Sequence, residues 1–462
     1  MPLNNDFIKQ IEALLPHGEA HAMLDAIDQR DVEVAVRFNN AKCPSLPTHL
    51  EQVPWCEWGA YLAKRPQFTF DPMLHAGAYY VQDASSMFIY HVIKSLVHAP
   101  VRYLDLCAAP GGKTTTALQA LPAGSAVVAN EIVPPRAHVL RENVIKWGNP
   151  ACMVTCDSPR ALGALTNTFD VIAADVPCSG EGMFRKDDEA IAQWSPALVE
   201  QCSARQRVIL ADVWNALKPG GLLIYSTCTY NRQENEEMVQ FIINELGATP
   251  LEVPIQSSWN IHGAIECDVP CYRFMPHITR GEGLFVCVLR KNSGALALTN
   301  SKKDKKKAKK SSQPIPTEVK KWVTGNNDFT MYDNFVFATP QSIKEMVEID
   351  TSNIHVIKPF GVALCESKGK KTVPCHHLAM STLLQQEAFP LCEVDYPTAI
   401  AYLRGEALTI DAPRGYVLIT YRNASLGFVN NLGNRANNLY PKPWRIMSSH
   451  VPEQAPAISG EV

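Results

Sequence analysis

The chain lacks several features that would fix its class at once. None of its apolar runs approaches the roughly 20 residues that cross a bilayer, so no membrane partner is expected. The opening MPLNNDFIKQIEALLP lacks the basic-then-apolar pattern of a secretory signal. A cytoplasmic protein with reduced thiols is therefore the expectation. The 14 cysteines include no CxxC pair. Cys152 and Cys156, like Cys267 and Cys271, have three residues between them and no paired histidines at zinc spacing, and the CHH run Cys375–His377 reads as a surface loop, so no metal is expected. Neither GxxxxGK[ST] nor GxGxxG occurs, which removes P-loop nucleotide hydrolysis and the usual dinucleotide-binding fingerprint. No internal repeat is seen.

What is present is a globular composition, 46% hydrophobic and 19% charged over 462 residues, long enough for two or three domains. The net charge of −3 argues against indiscriminate nucleic-acid binding. It hides one strongly basic run, Lys302–Lys310, with seven lysines and one aspartate, so any nucleic-acid surface must be local. That run lies in a segment that cannot bury a core, and residues 292–317 read as a Lys-rich linker.

Strand and helix signals alternate from residue 99. Strands are predicted at VRYLDL, SAVVAN, ACMVT, DVIAAD, GLLIYS and GLFVCVLR, with helices between them. The helix from Pro196 carries Val208, Ile209, Val213, Ala216 and Leu217 at helical spacing and is expected to stop at Lys218–Gly221. This alternation predicts an α/β fold, a mostly parallel Rossmann-like sheet with helices on both faces. The expected organisation is an N-terminal α+β accessory region at 1–98, a catalytic domain at 99–291, the linker, and a C-terminal α+β unit at 318–462. The C-terminal unit ends in two strands, a turn and a polar loop, RGYVLITYRNASLGFVNNLGNRANNLYPKPWRI.

Chemistry concentrates at the predicted strand ends. Gly111 and Gly112 sit between the first strand and a helix, where the backbone can approach a ligand and helix N–H groups favour an anionic end. Glu131, Asp157 and Asp175 end later strands, and in an open α/β sheet such ends converge on one crevice. A carboxylate at Glu131 can accept both hydroxyls of a ribose, so a nucleoside-type cofactor is expected. Two thiols, Cys178 and Cys228, stand just past two of these strands, and the residues alone leave their roles open.

AAPGGKTT, DVPCSGEG and YSTCTYNRQENE, with YVQDASSM and AVRFNN upstream, resemble the signature motifs of the Sun (Fmu)-type RNA cytosine-C5 methyltransferases. The resemblance implies a class I methyltransferase using S-adenosylmethionine. It implies cofactor contacts at Cys107, Ala108, Ala109, Pro110, Gly111, Gly112, Lys113, Glu131, Asp157 and Asp175. Cys107 stands where an apolar residue is expected. Carbon 5 of cytosine is a poor nucleophile, and a thiolate added at carbon 6 makes the ring an enamine that can take a methyl group. In this family the Ser-Thr-Cys cysteine attacks, implying Cys228 as nucleophile and Cys178 as the thiol that helps resolve the adduct. Asp175 can hydrogen-bond the base, Pro177 stiffens its turn, and Lys113 is a partner for the base or for Asp175. Two rivals stand beside this reading. Amino-nitrogen methylation usually places an aromatic where Cys178 stands, and a non-catalytic RNA-binding assembly factor would not need both thiols.

The target base must be unpaired or flipped out. Phe184, Arg185, Lys186 and Trp194 beside the Cys178 loop are expected to stack on and neutralise RNA, with Trp194 as a core anchor the alternative. LGNRANNLYPKPWRI resembles a PUA-like RNA-binding module, with Arg435, Lys442 and Arg445 as candidate phosphate contacts. The expected partner is ribosomal RNA or the small ribosomal subunit, with transfer RNA open, and a monomer is expected.

Overall fold

The computed structural model describes residues 2–30, 32–293, 315–348, 354–357, 360–369, 371–448, 450–456 and 458. The lysine run Lys302–Lys310 and most of the 292–317 segment lie outside the described residues. No helix among the described residues is long and apolar enough to cross a membrane.

The alternation seen in the sequence becomes one eight-stranded sheet. Its path runs Ala248–Leu251, Leu284–Lys291, Leu217–Thr227, Phe169–Asp175, Arg102–Asp105, Ala126–Asn130, Cys152–Thr155. The last five strands of this path are mutually parallel. Leu284–Lys291 runs antiparallel to Leu217–Thr227, and Cys271–Phe274 pairs with it from off the path. Near-continuous apolar runs suit these strands because helices cover both faces. The chain order reverses direction across the sheet at Arg102–Asp105, the switch point at which such sheets form a ligand crevice.

Two local expectations change. The long helix, capped by Ser195 accepting from the Leu198 N–H, ends at Val213 rather than at Lys218–Gly221. Lys218–Gly221 instead opens the strand Leu217–Thr227, where Gly220 takes φ 77°, a left-handed conformation that glycine adopts without strain. Of the spaced apolar residues, Val208 points to solvent, while Ile209 and Val213 face the core. The C-terminal polar loop also contains a third strand, Ala436–Asn438, because Val429–Asn431 offers it an open edge to pair with.

The N-terminal region packs helices Asn5–Leu14 and His17–Gln29 and a four-stranded sheet, Val34–Phe38 with Gly59–Leu62, Tyr79–Val81 and Glu51–Gln52. Its helices bury Phe7, Ile11 and Met23 in one cluster with Phe184, Ile191, Trp194 and Tyr230 of the central region. Its sheet shares a second cluster with Ile400, Leu403, Val417 and Ile419 of the C-terminal half.

The C-terminal half contains two four-stranded sheets. It also reaches into the central sheet. Only a five-residue helix, Pro159–Gly163, follows Cys152–Thr155, and it leaves part of one sheet face bare. Helix Gln341–Val347 fills that face, with Ile343 and Met346 fully buried among Ala126, Val128, Met153 and Leu162. Residues 354–357 then pair antiparallel with the sheet edge, with an isolated bridge Thr155–Val356 and bonds Cys156 N to His355 O (3.0 Å) and Ile357 N to Val154 O (3.0 Å). Cys375–His377 is not a surface loop. His376 opens helix His376–Met380 and its ring lies edge-on to Tyr440 and Trp444, where burial pushes its pKa down to about 3.

Candidate active site

The parallel register aligns the carboxyl ends of the central strands, Asp105 beside Ala129 and Ala173, Asn130 beside Thr155, and Asp175 beside Ser226. One buried side chain binds three of these ends together. Asn130 donates to Leu106 O (3.1 Å) and Asp157 O (3.0 Å), and its oxygen accepts from Thr155 Oγ1 (2.8 Å) and the Asp157 N–H (3.0 Å). Nothing along the chain singles it out beyond its place at a strand end.

The segment Cys107–Lys113 turns over this platform. Ala108 donates its N–H to Asn130 O (2.8 Å), Arg136 holds Ala109 O (3.1 Å) and Asn143 holds Pro110 O (2.8 Å). Gly111 has φ 116°, which a side chain would resist, and it caps helix Gly112–Ala120, whose first N–H groups open toward the crevice. Around that opening the acceptors outnumber their donors. Asp105 is fully buried, takes one bond from Thr114 Oγ1 (2.6 Å), and has an Oδ1 with no partner. Glu131 accepts the Val133 N–H (2.9 Å) and faces Arg136 (3.3 Å). Asp157 accepts the His355 N–H (2.6 Å). Each carboxylate keeps spare lone pairs. This acceptor set fits the donors of S-adenosylmethionine, namely ribose hydroxyls, an exocyclic amine and an α-ammonium group. Burial, with the charges of Asp175 and Glu131, pushes Asp105 up to about 7 against the Thr114 bond and Lys113.

Beside this opening the two thiol loops meet. Cys178 Sγ lies 3.2 Å from Cys228 Sγ. Asp175, at the end of its strand, is held on both oxygens, by Lys113 Nζ (2.8 Å) and by Ser226 Oγ (2.8 Å). Ser226 is a site residue that the sequence reading missed, although it lies inside the quoted YSTCTY segment. Burial lowers the Lys113 pKa, but the charge and hydrogen bond of Asp175 outweigh it, with a further contribution from Cys228, so Lys113 stays protonated. The hydrogen bond to Cys228, then burial, then the charge of Cys228 push the Cys178 thiol well above its ordinary value. Gln206 Nε2 bonds Pro177 O (3.0 Å) and fixes the turn that carries Asp175 and Cys178.

The expected RNA-stacking aromatics are not available for that task. Phe184 and Trp194 are buried against Phe7, with ring centroids 4.9 and 5.4 Å away, because the N-terminal helices close over the Cys178 loop. Arg185 is buried as well, donating to Gly281 O (3.2 Å) and facing Glu282 (3.5 Å). Lys186, partly exposed, also faces Glu282 (3.5 Å). In the C-terminal half Arg435 and Lys442 are exposed, while Arg445 is half-buried and donates to Lys442 O (3.1 Å).

Comparison with known proteins agrees with this geometry. Residues 97–290 match the family model described as 16S rRNA methyltransferase RsmB/F. Residues 3–84 match the N-terminal domain of 16S rRNA methyltransferase RsmF, and 389–446 match the methyltransferase RsmF PUA domain. The chain is 29% identical over 470 residues to the ribosomal RNA small subunit methyltransferase F of Aliivibrio fischeri (strain MJ11), covering 95% of this chain and 97% of that one. It is 29% identical over 466 residues to the protein of the same name from Escherichia coli O157:H7, covering 94% and 95%. Among solved structures, NSun6 from Pyrococcus horikoshii with SFG has the same fold at TM-score 0.54 and 18% identity, covering 63% of this chain and 99% of that one. A methyltransferase homologue from Pyrococcus horikoshii gives TM-score 0.50 at 23% identity, covering 63% and 100%. With three matched segments in one order and two thiols facing each other beside the glycine turn, the chain is similar along most of its length to the RsmB/F methyltransferases.

Proposed function

We propose that the protein methylates carbon 5 of cytidine in RNA of the small ribosomal subunit, with Cys228 as nucleophile and Cys178 as the group that resolves the adduct. The observation that carries this reading is the 3.2 Å approach of the two sulfurs beside the Lys113–Asp175 pair. The substrate assignment rests on the relatives' names and on the C-terminal match to a PUA domain. S-adenosylmethionine supplies the methyl group when bound, a reading supported by the acceptor set around Asp105, Glu131 and Asp157 and by a neighbour of the same fold crystallised with SFG, an analogue of it.

The Cys228 thiolate adds to carbon 6 of the base while Asp175, held by Lys113 and Ser226, accepts a hydrogen bond from the ring's exocyclic amine or protonated nitrogen. Carbon 5 takes the methyl group and then carries both it and a proton. Once Cys228 is bonded to carbon 6 it no longer holds a charge, so its hydrogen bond and charge no longer raise the Cys178 pKa, and burial remains as the main cause. Cys178 Sγ then acts as, or orients, the base that takes the carbon 5 proton, and the carbon 6–sulfur bond breaks to return the Cys228 thiolate. A nucleophilic thiol requires reducing surroundings, and all 14 cysteines are free, which supports a cytoplasmic setting.

Two variants and RNA mapping test this. Cys228→Ala should abolish methylation and any covalent complex. Cys178→Ala should accumulate a protein–RNA complex that survives denaturing electrophoresis. A complex seen only with Cys228→Ala would reverse the roles. Bisulfite sequencing of a deletion strain should lose 5-methylcytidine from small-subunit RNA; a loss confined to transfer RNA would move the substrate, and an unchanged map would end the RNA reading.

A further inference from the structure

Two carboxylates beneath the thiols have no part in the chemistry above. Glu181 and Glu234 are fully buried, and no Lys or Arg forms an ion pair with either among the described residues. Burying a carboxylate without a cation is unfavourable by several kcal/mol unless donors surround it. Here each carboxylate takes at least one of its donors from the opposite loop. Glu181 lies on the Cys178 loop and accepts from the Tyr230 N–H (2.7 Å), the Asn231 N–H (3.0 Å) and Asn231 Nδ2 (3.0 Å), all just past Cys228. It also accepts from Trp194 Nε1 (3.0 Å) and from Gln10 Nε2 (2.9 Å) of the N-terminal helix.

Glu234 lies on the Cys228 loop and accepts from the Ser179 N–H (3.1 Å), the residue after Cys178. It accepts as well from Asn231 Nδ2 (2.8 Å) and from Gln206 Nε2 (2.7 Å), the same nitrogen that binds Pro177 O (3.0 Å). Cys178 is therefore gripped on both sides, through Pro177 O and Ser179 N. Two further bonds close the seam, Gly182 N to Cys228 O (2.9 Å) and Ser179 Oγ to Thr229 Oγ1 (2.9 Å).

We propose that Glu181 and Glu234 are positioning residues, a reciprocal pair of carboxylate clamps that holds the two thiol-bearing loops in register and so sets the 3.2 Å sulfur separation. Every partner of either side chain is a donor, so only a group that accepts on both oxygens satisfies the site. Glutamine has the same size but turns an NH2 toward one of those donors, which leaves two donors facing each other. Charge-assisted bonds also hold geometry more tightly than neutral ones. The claim rests on the two-thiol reading of the reaction, but its test does not need RNA.

The test uses the full-length protein and the rate at which diamide closes a Cys178–Cys228 disulfide. The two thiols lose two hydrogens, which the azo bond takes up, and the linked peptides are quantified by mass spectrometry. Sulfurs preset at contact distance close quickly, and loss of register should slow closure in Glu181→Gln and Glu234→Gln by about tenfold or more. With RNA, the same variants should lower kcat while leaving KM within about twofold, because the clamps touch no substrate. Gln206→Met removes the donor to Glu234 and Pro177 while keeping side-chain volume, and should give an intermediate rate even where a glutamate variant does not fold. Wild-type disulfide rates in the folded variants, with kcat unchanged, would overturn the proposal. Slow closure in a protein that proves not to methylate RNA would retain the clamps and discard the reaction.

Discussion

Helix Gln341–Val347 gives the sharpest test of how the chain is assembled. If the C-terminal half were a tethered module, weakening this helix would affect only that module. The structure says otherwise, because Ile343 and Met346 are fully buried against Ala126, Val128 and Met153 of the central sheet. Ile343→Ala removes three buried carbons from a site walled by a rigid sheet, and comparable truncations cost about 2–5 kcal/mol. Against a net domain stability of roughly 5–15 kcal/mol, that is a large fraction. Adding Met346→Ala, one helical turn away, should cost less than a second full increment, because the two side chains share one cavity. Urea unfolding followed by tryptophan fluorescence measures this, since Trp214 belongs to the same core as Ile343 and Trp322 lies in a C-terminal cluster. One cooperative transition should move to lower urea. Affinity for S-adenosylhomocysteine, read by calorimetry, should fall with it, because the 354–357 segment that follows delivers the His355 N–H to Asp157. Separate C-terminal unfolding, with the Trp214 transition and the affinity unchanged, would refute the reasoning.

Two further outcomes are expected. Burial pushes the Asp105 carboxyl up to about 7, so the folded state prefers it protonated and the unfolded state releases the proton first. Stability from this group is full below pH ~4 and is lost as pH rises through about 7, by up to ~4 kcal/mol; Asp105→Asn should flatten that part of a melting-temperature profile, and an unchanged slope would assign the effect elsewhere. Phe7→Ala should cost roughly 3–5 kcal/mol and lower kcat more than it alters KM, because Phe7 packs on Phe184 and Trp194 behind the Cys178 loop; faster proteolysis within 178–194 would report the loosening, and unchanged kcat would separate the N-terminal helices from the site.

The elements whose logic is local were legible in the sequence. Alternating apolar strands and helices from residue 99, the glycine turn and the strand-end acids all follow from periodicity and backbone rules. What escaped depends on tertiary context. Phe184 looks like a stacking residue beside a loop of basic side chains and Trp194 like either that or a core anchor, and only the helices at residues 5–29 show both to be covered. Lys218–Gly221 carries strong helix-stop chemistry, yet the preceding turn Trp214–Ala216 had already ended the helix and freed those residues to start a strand. Ser226, Glu181 and Glu234 sit inside the motifs that carried the family resemblance. Their function lies in what they bind across the seam, and spacing along the chain carries no such information. Helix Gln341–Val347 reads as an ordinary amphipathic turn, and nothing local announces that it covers a sheet face some two hundred residues upstream.

The assignment of roles to the two sulfurs depends on their surroundings more than on their own chemistry. At 3.2 Å two thiolates would repel strongly in a partly buried site, so the two sulfurs do not both carry a charge. Which sulfur carries the charge is then decided by the neighbours. Glu234 contributes a negative charge to the Cys178 side and helps keep its proton in place. The Lys113 ammonium, held by Asp175, is close enough to Cys228 for the two to attract. Both influences favour Cys178 as the sulfur that keeps its proton. Exchanging the roles would require moving a buried carboxylate and a lysine to opposite sides of the seam, and replacing one thiol by another nucleophile does neither.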